Sequence, residues 1–142
     1  MNVLERWHDQ VLAVFRIVVG FLFATHGAAA LFGVLGTEQV KAMVWPSWWA
    51  SAIQFVGGVL VMLGLGTRYA ALLCSGSMAY AYFTVHQSGA LLPVQNGGEK
   101  AALFAFAFLL IGFLGSGAWA VERLPVFKRQ ATDARRLEPA TE

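Results

Sequence analysis

The charged residues divide the chain into four long uncharged stretches. These cover residues 17–37, 42–67, 69–98 and 101–121, which are 21, 26, 30 and 21 residues long. A helix needs about 20 apolar residues, each rising ~1.5 Å, to cross the ~30 Å hydrocarbon core of a bilayer. Each stretch is therefore long enough for one crossing, and none holds two comfortably. The pattern predicts an all-α integral membrane protein, a four-helix antiparallel bundle with spans at about 11–32, 48–65, 69–86 and 99–119.

The composition supports this interpretation. Hydrophobic residues make up 58% of the 142 residues and charged residues 13%, whereas a soluble domain has about 45–50% and about 25%. A secretory signal peptide is the alternative for the first stretch, because Arg6 precedes an apolar run and Ala28-Ala29-Ala30 offers small residues for cleavage. That run is longer than a typical signal core, and Arg16 interrupts its start. Residues 2–11 predict an amphipathic lead-in on the membrane surface.

The basic residues predict the orientation. Four spans place both termini on one side, and that side holds eight of the ten basic residues, namely Arg6, Arg16, Arg68, Arg123, Lys128, Arg129, Arg135 and Arg136. The positive-inside rule then predicts cytoplasmic N and C termini in a multi-pass protein of the bacterial inner (plasma) membrane. The membrane domain is predicted at 1–120 and a charged cytoplasmic tail at 121–142. Arg16 is expected to extend its guanidinium toward the headgroups. A net charge of +2 gives no support for a nucleic-acid partner.

Several residues in or near the spans have a packing or anchoring interpretation. Cys74, the only cysteine, is predicted to be a small buried packing residue, and one thiol excludes a dithiol oxidase acting alone. Tryptophans mark the outer interface, where indole rings favour the headgroup level. Small residues within spans predict close helix packing. The residues concerned are Trp45, Trp48, Trp49, Gly27, Gly57, Gly58, Gly64 and Gly112.

Polar side chains gather in the outer half of the predicted bundle. His26 lies about six residues before the end of span one and Gln54 about six after the start of span two, which places both roughly 9 Å below the surface. His86, Asn96 and Glu99 belong to the outer ends of spans three and four and the loop between them. A polar group within a span is a functional candidate, and the alternative is an interhelical hydrogen-bonded clasp.

These residue types favour a quinone head group over other ligands. One histidine and one amide or carboxylate near the bilayer surface suffice to hydrogen-bond two quinone oxygens, with Phe23, Tyr82 and Phe83 as stacking partners. The predicted proton-exchange or ligand-binding residues are His26, His86 and Glu99, and the predicted cofactor-binding residues are Gln54, Asn96 and Tyr82. A metal site lacks HxxxH or ExxH spacing, so none is predicted. A haem between His26 and His86 requires ligands at one depth, and theirs differ.

Three strings resemble the DoxX family of integral membrane proteins. The first runs from Phe15-Arg16-Ile17-Val18-Val19-Gly20 to Thr25-His26-Gly27 and Leu31-Phe32-Gly33, and the second from Gly57-Gly58 to Gly64-Leu65-Gly66-Thr67-Arg68. The third joins His86, Pro93 and Asn96-Gly97-Gly98-Glu99 to Gly115-Ser116-Gly117. The resemblance implies a four-helix protein similar to the DoxD-like subunit of thiosulfate:quinone oxidoreductase and to membrane partners in oxidative-stress complexes. The family often has a glutamate at the Gln54 position, so this chain lacks that proton acceptor.

The leading hypothesis is a membrane subunit of a quinone-linked redox assembly, an oxidoreductase subunit that does not act alone. Its partners are the lipid bilayer, other redox subunits and, as an open alternative, a second copy of the chain. The main rival is a non-enzymatic scaffold or assembly factor that recruits soluble redox partners. A transporter is less well supported because the chain has no inverted repeat or pair of interrupted spans.

Overall fold

The computed structural model describes residues 3–125, with side chains from residue 5 onward. This part of the chain is all-helical and holds no strand. The elements are α1 (Val3–Phe32), α2 (Ser47–Leu63), α3 (Thr67–Ala81) continued by a π-helical turn (Tyr82–His86), the short α4 (Pro93–Asn96), α5 (Glu99–Leu114) and a 3₁₀ turn (Val121–Arg123). Each of the long helices packs on two others, since α1 contacts α2 and α5, and α3 contacts α2 and α5.

The first two helices are antiparallel and joined along a seam of glycines. A methyl group on Gly20 would lie 2.7 Å from the Met62 nitrogen, and one on Gly58 would lie 2.6 Å from the Ala24 nitrogen. Further along, a methyl group on Gly27 would lie 2.6 Å from the Ser51 carbonyl oxygen. Because no side chain fits at these positions, the two backbones approach closely, as in other membrane helix pairs. The packing role predicted for Gly27 and Gly58 is confirmed.

The core lies between the four long helices. It contains Phe23 from α1, Val61 from α2, Cys74 from α3 and Phe108 and Ile111 from α5. Cys74 is fully buried and is a free thiol, which confirms its predicted packing role. Outward-facing positions are also apolar: large hydrophobic side chains remain exposed on every long helix, among them Phe21 (54%), Val56 (54%), Leu73 (57%) and Phe106 (72%). Such a surface is unfavourable in water and suits contact with lipid.

One helix in the described part of the chain, Glu5–Phe32, is both long and apolar enough to cross a membrane. Ser47–Leu63 is apolar but has 17 residues, which is about 26 Å at ~1.5 Å per residue. The predicted lead-in and first span form one continuous helix. The four crossings and the cytoplasmic termini stay predictions.

Two helix ends differ from those predicted. The second helix ends at Leu63 because Gly64 adopts a left-handed conformation (φ 76°, ψ 46°), a common helix stop. The fourth long helix ends at Leu114, five residues before the predicted boundary at residue 119, because Gly115 has φ 91° and ψ −159°, which favours glycine. Residues 115–120 instead form a loop that returns to α1, where the Ala118 nitrogen donates to the Asp9 carbonyl at 3.0 Å.

Arg16 does not extend to the surface, so that prediction is wrong. Its side chain is 0% exposed, and it donates from Nε to the Ser116 carbonyl at 2.9 Å and from Nη1 to the Val61 and Met62 carbonyls at 2.7 and 2.6 Å. Nη2 lies 3.4 Å from the Ala118 carbonyl. The last carbonyls of a helix have no intrahelical partner and carry the negative end of its dipole. Arg16 therefore joins the end of α2 to the loop after α5.

The predicted tail begins with an ordered contact. The Glu122 nitrogen donates to the Gly64 carbonyl at 3.1 Å, and the carboxylate of Glu122 accepts from the Thr67 nitrogen and hydroxyl at 3.4 Å each. This contact fixes the 3₁₀ turn against the start of α3. The rest of the predicted tail, 126–142, lies outside the described residues.

Candidate ligand site at one end of the bundle

Four polar side chains from four helical segments line one cavity of about 270 Å³. They are His26 of α1, Gln54 of α2, His86 of the π-helical turn and Lys100 of α5. His26 and Lys100 are exposed, whereas Gln54 and His86 are half-buried. The cavity therefore opens to the surface. The structure brings together three of the residues that the sequence analysis singled out.

The glycine seam positions the first two of these side chains. Gly27 follows His26 directly, and its missing side chain leaves room for the α2 backbone from Ser51 to Phe55. This stretch includes Gln54, whose carbonyl carbon would lie 2.9 Å from a methyl group on Gly27. The same close approach that packs the helices places Gln54 and His26 on the wall of one cavity.

His86 is positioned by a change of helix type. After Ala81 the chain widens into a π-helical turn, in which the Gln87 nitrogen donates to the Tyr82 carbonyl at 2.9 Å. Such turns occur often at functional sites because they reorient a side chain. The Nδ1 atom of His86 lies 3.2 Å from the Asn96 carbonyl oxygen. A carbonyl oxygen only accepts, so Nδ1 carries the hydrogen and, in the neutral ring, Nε2 is an acceptor.

Lys100, rather than Glu99, is the α5 residue that lines the cavity. The sequence predicts Glu99 as the site residue of this helix, and that prediction does not include Lys100. The core face of α5 contains Phe104, Phe108 and Ile111. Residues four apart lie on the same face of a helix, so Lys100 shares the face of Phe104 and Phe108. Glu99 shares its face with Leu103 (71% exposed) and Phe106 (72%). Glu99 is thus exposed and outside the cavity lining, and the spacing of the core residues was the signal that identifies Lys100.

Asn96 and Tyr82 contribute to the loop rather than to the cavity wall. The Asn96 side chain donates to the Ala90 carbonyl at 2.9 Å and accepts from the Gly98 nitrogen at 2.8 Å. The backbone carbonyl of Asn96 accepts from Nδ1 of His86. Gly98 is the N-cap of α5. Tyr82 lines a separate apolar groove of about 370 Å³. Asn96 is therefore a positioning residue for His86.

The aromatic wall of the cavity also differs in part from the predicted one. Phe23 lines the cavity as expected, and its partner is Phe104, whose ring centroid lies 5.2 Å from that of Phe23. Phe83 lines the same apolar groove as Tyr82. The reason is that these neighbours lie where α3 gives way to the π-helical turn, which directs their rings toward the outer face of α5.

The cavity does not have the bonding of an interhelical clasp. Within residues 5–125, the side chains of His26, Gln54 and Lys100 form no hydrogen bond with one another or with other groups, although a clasp requires such bonds. In the same part of the chain, no group of three or more His, Cys, Asp or Glu residues is arranged to hold a metal ion. The polar groups of the cavity remain available to a ligand.

Comparison with known proteins identifies the family. The DoxX family model matches residues 11–87. An uncharacterized protein of Haemophilus influenzae is 41% identical over 86% of this chain and 96% of its own length. The "Inner membrane protein YqjF" of Escherichia coli is 29% identical over 85% and 96% of the two chains, and the "Putative oxidoreductase CatD" of Bacillus subtilis is 36% identical over 80% and 84%. No solved structure matches the chain. The match over more than half of the chain shows that it belongs to the DoxX family of membrane proteins.

Proposed function

We propose that this chain is a membrane subunit of a quinone-linked redox assembly and that the cavity lined by His26, Gln54, His86 and Lys100 binds the quinone head group. The observation that carries the proposal is the convergence of these four side chains on one open cavity. The oxidoreductase name of the Bacillus subtilis relative agrees with it.

The cavity offers hydrogen-bonding groups of the kind that a quinone needs. A quinone presents two carbonyl oxygens, which accept hydrogen bonds, and a quinol presents two hydroxyl groups, which donate them. Lys100 supplies donors only, the Gln54 amide supplies both kinds, and each imidazole exchanges one role for the other as its proton moves. With Nδ1 of His86 donating to Asn96, Nε2 accepts a quinol proton when the ring is neutral and donates to a quinone oxygen when the ring is charged.

The size and lining of the cavity fit a head group rather than a whole lipid. Its volume of about 270 Å³ is slightly below the roughly 300–1,000 Å³ of pockets for drug-sized molecules. Phe23 and Phe104 supply ring faces next to the polar groups. Of the predicted residues, Glu99 has no part in this proposal, and Asn96 acts through His86.

The proposal includes four membrane crossings, with both termini in the cytoplasm and the cavity in the outer half of the bundle. The exposed apolar side chains of α2, α3 and α5 support the crossings. These three helices, like α1, have large hydrophobic side chains on their outer faces. A helix shorter than the bilayer core is accommodated by local thinning of the bilayer. The topology can be tested by placing single cysteines in the 33–46 and 87–92 loops and labelling them with a thiol reagent that does not cross the inner membrane. Both loops are expected to react from the periplasmic side.

The test of the ligand uses the purified full chain in mild detergent. Quinol affinity is measured for the wild type, His26→Ala, His86→Ala and Lys100→Gln, with His8→Ala as the matched control, because His8 lies in α1 and bonds to Asp9 instead. We expect each cavity variant to weaken binding about tenfold, equivalent to ~1.4 kcal/mol, and the control to bind like the wild type. Equal affinity in all variants contradicts the proposal and favours the scaffold hypothesis.

A further inference from the structure

A second polar cavity, of about 280 Å³, lies at the opposite end of the bundle. It is bounded by the turn between α2 and α3, the end of α5 and the 3₁₀ turn. All three strings that carry the family resemblance meet here. The second string supplies Thr67 and Arg68 to the lining, and the third supplies Gly115 and Ser116. Arg16, from the first string, lies behind the cavity and donates to the Ser116 carbonyl at 2.9 Å. The proposed quinone site uses none of these residues.

The lining of this cavity has an excess of positive charge. Arg68 and Arg123 are both exposed on its wall. Within the described chain, the Arg68 guanidinium has no hydrogen bond or ion pair, and Arg123 has one long contact, 3.9 Å, with the Asp9 carboxylate. Glu122 is the carboxylate in the lining, and both of its oxygens already contact Thr67. The first N–H group of α3 is therefore occupied, Arg68 has no partner among the described residues, and Arg123 has only its long contact with Asp9.

The Arg68 guanidinium lies next to the glycine that ends α5. A methyl group on Gly115 would lie 3.4 Å from both Nε and Nη2 of Arg68. Gly115 itself has a backbone conformation that favours glycine. The Arg68 guanidinium therefore lies beside the end of α5, on the wall of the cavity.

We propose that this cavity binds a phosphate group, either as the phosphodiester of an anionic phospholipid or as free inorganic phosphate. Guanidinium groups match phosphate oxygens through paired, charge-assisted hydrogen bonds. Basic pockets between membrane helices bind anionic lipid headgroups. The apolar side chains next to the cavity, Leu114 (45% exposed) and Tyr69 (84% exposed), lie where acyl chains would follow the headgroup. A phospholipid satisfies both features, whereas free phosphate satisfies only the first.

The experiment measures lipid binding to the full chain by native mass spectrometry and thermal unfolding in detergent micelles. Phosphatidylglycerol is compared with phosphatidylcholine, and sodium phosphate with sodium chloride at equal ionic strength. We expect phosphatidylglycerol to bind at about tenfold lower concentration than phosphatidylcholine, and Arg68→Gln to remove most of that preference. If phosphate competes with phosphatidylglycerol, the site also takes the free ion; if it does not, the ligand is the lipid.

The controls separate a built site from general charge attraction. Lys41→Gln removes one exposed positive charge from the loop between α1 and α2, at the other end of the bundle, and is expected to keep the preference within twofold. Arg123→Gln removes the other arginine of the lining and gives a second readout should Arg68→Gln fail to fold. Equal binding of the two lipids by the wild type, or equal losses in Arg68→Gln and Lys41→Gln, overturns the proposal.

Discussion

Buried Arg16 at one end of the bundle and the polar side chains of the quinone cavity at the other end differ in their hydrogen bonding. At one end Arg16 is completely buried and donates to carbonyls of α2 and of the loop after α5. At the other end His26, Gln54 and Lys100 line an open cavity and are not bonded to any described group. A buried charge that is fully hydrogen-bonded determines how helices assemble, and unbonded polar groups at an opening are available for binding. At the first end Arg16 therefore stabilises the fold, and at the second end His26, Gln54 and Lys100 serve the proposed quinone.

The largest effect is expected from Arg16→Leu. The substitution leaves the Met62 and Ser116 carbonyls without their donor, leaves the Val61 carbonyl with the Gly64 nitrogen at 3.2 Å, and separates α2 from the loop after α5. A buried carbonyl that loses its donor costs about 1–3 kcal/mol, so we expect the two unsatisfied carbonyls to lower the free energy of unfolding by about 2–6 kcal/mol, measured by denaturant titration in detergent. Arg16→Lys should recover only part of it, because an ammonium group cannot reach carbonyls on both sides. Full stability in Arg16→Leu would contradict this role.

A smaller loss is expected from Gly27→Ala. The added methyl group would meet the Phe55 nitrogen and the Ser51 carbonyl oxygen, so α1 and α2 must separate. Overpacking of this kind costs about 1–3 kcal/mol, and the movement should also widen the distance between His26 and Gln54. Thermal unfolding checks the first effect and quinol affinity the second. Gly76→Ala in α3 is the matched control, because nothing lies within 4 Å of its added methyl group; it should be neutral or stabilising.

A modest effect is expected from Glu122→Gln. The carboxylate accepts from the Thr67 nitrogen and hydroxyl at 3.4 Å, which is long for a hydrogen bond. We expect a loss of about 0.5–1 kcal/mol in unfolding free energy, mainly from the weaker contact of the 3₁₀ turn with α3. Glu38→Gln, in the exposed loop after α1, is the control for loss of one carboxylate. Equal losses in both variants would show that the Thr67 contact contributes nothing.

The same comparison explains what the sequence could predict. The lengths of the uncharged stretches located all four long helices, and counting depth along each helix brought His26, Gln54 and His86 to one end, because both depend only on the rise of ~1.5 Å per residue along a single helix. The contacts of Arg16 could not be predicted in this way. Its partners are backbone carbonyls of Val61, Met62 and Ser116, and every residue type has a carbonyl.

The choice between Glu99 and Lys100 shows a different limit. Adjacent residues of a helix point about 100° apart, so an error of one position replaces a carboxylate by an ammonium group in the cavity. Depth alone does not separate them, because both belong to the first turn of α5. Extending the face of Phe104 and Phe108 back along the helix selects Lys100. The direction of each side chain around the helix axis, and not its depth, therefore distinguishes Lys100 from Glu99.

The smallest effect on stability, and the sharpest distinction between the two functional hypotheses, is expected from His26→Ala. If the polar groups were a clasp within a scaffold, removing the imidazole would lower stability, and no ligand affinity would change. In the structure the imidazole is exposed on the cavity wall and has no hydrogen-bonding partner in the described chain, so the free energy of unfolding should change by less than about 0.5 kcal/mol. Quinol affinity should nevertheless fall about tenfold. Denaturant titration and quinol binding on the same preparation measure both quantities, with His8→Ala as the control. A loss of stability without a loss of quinol affinity would contradict the proposal and show that His26 has a structural role, as Arg16 has.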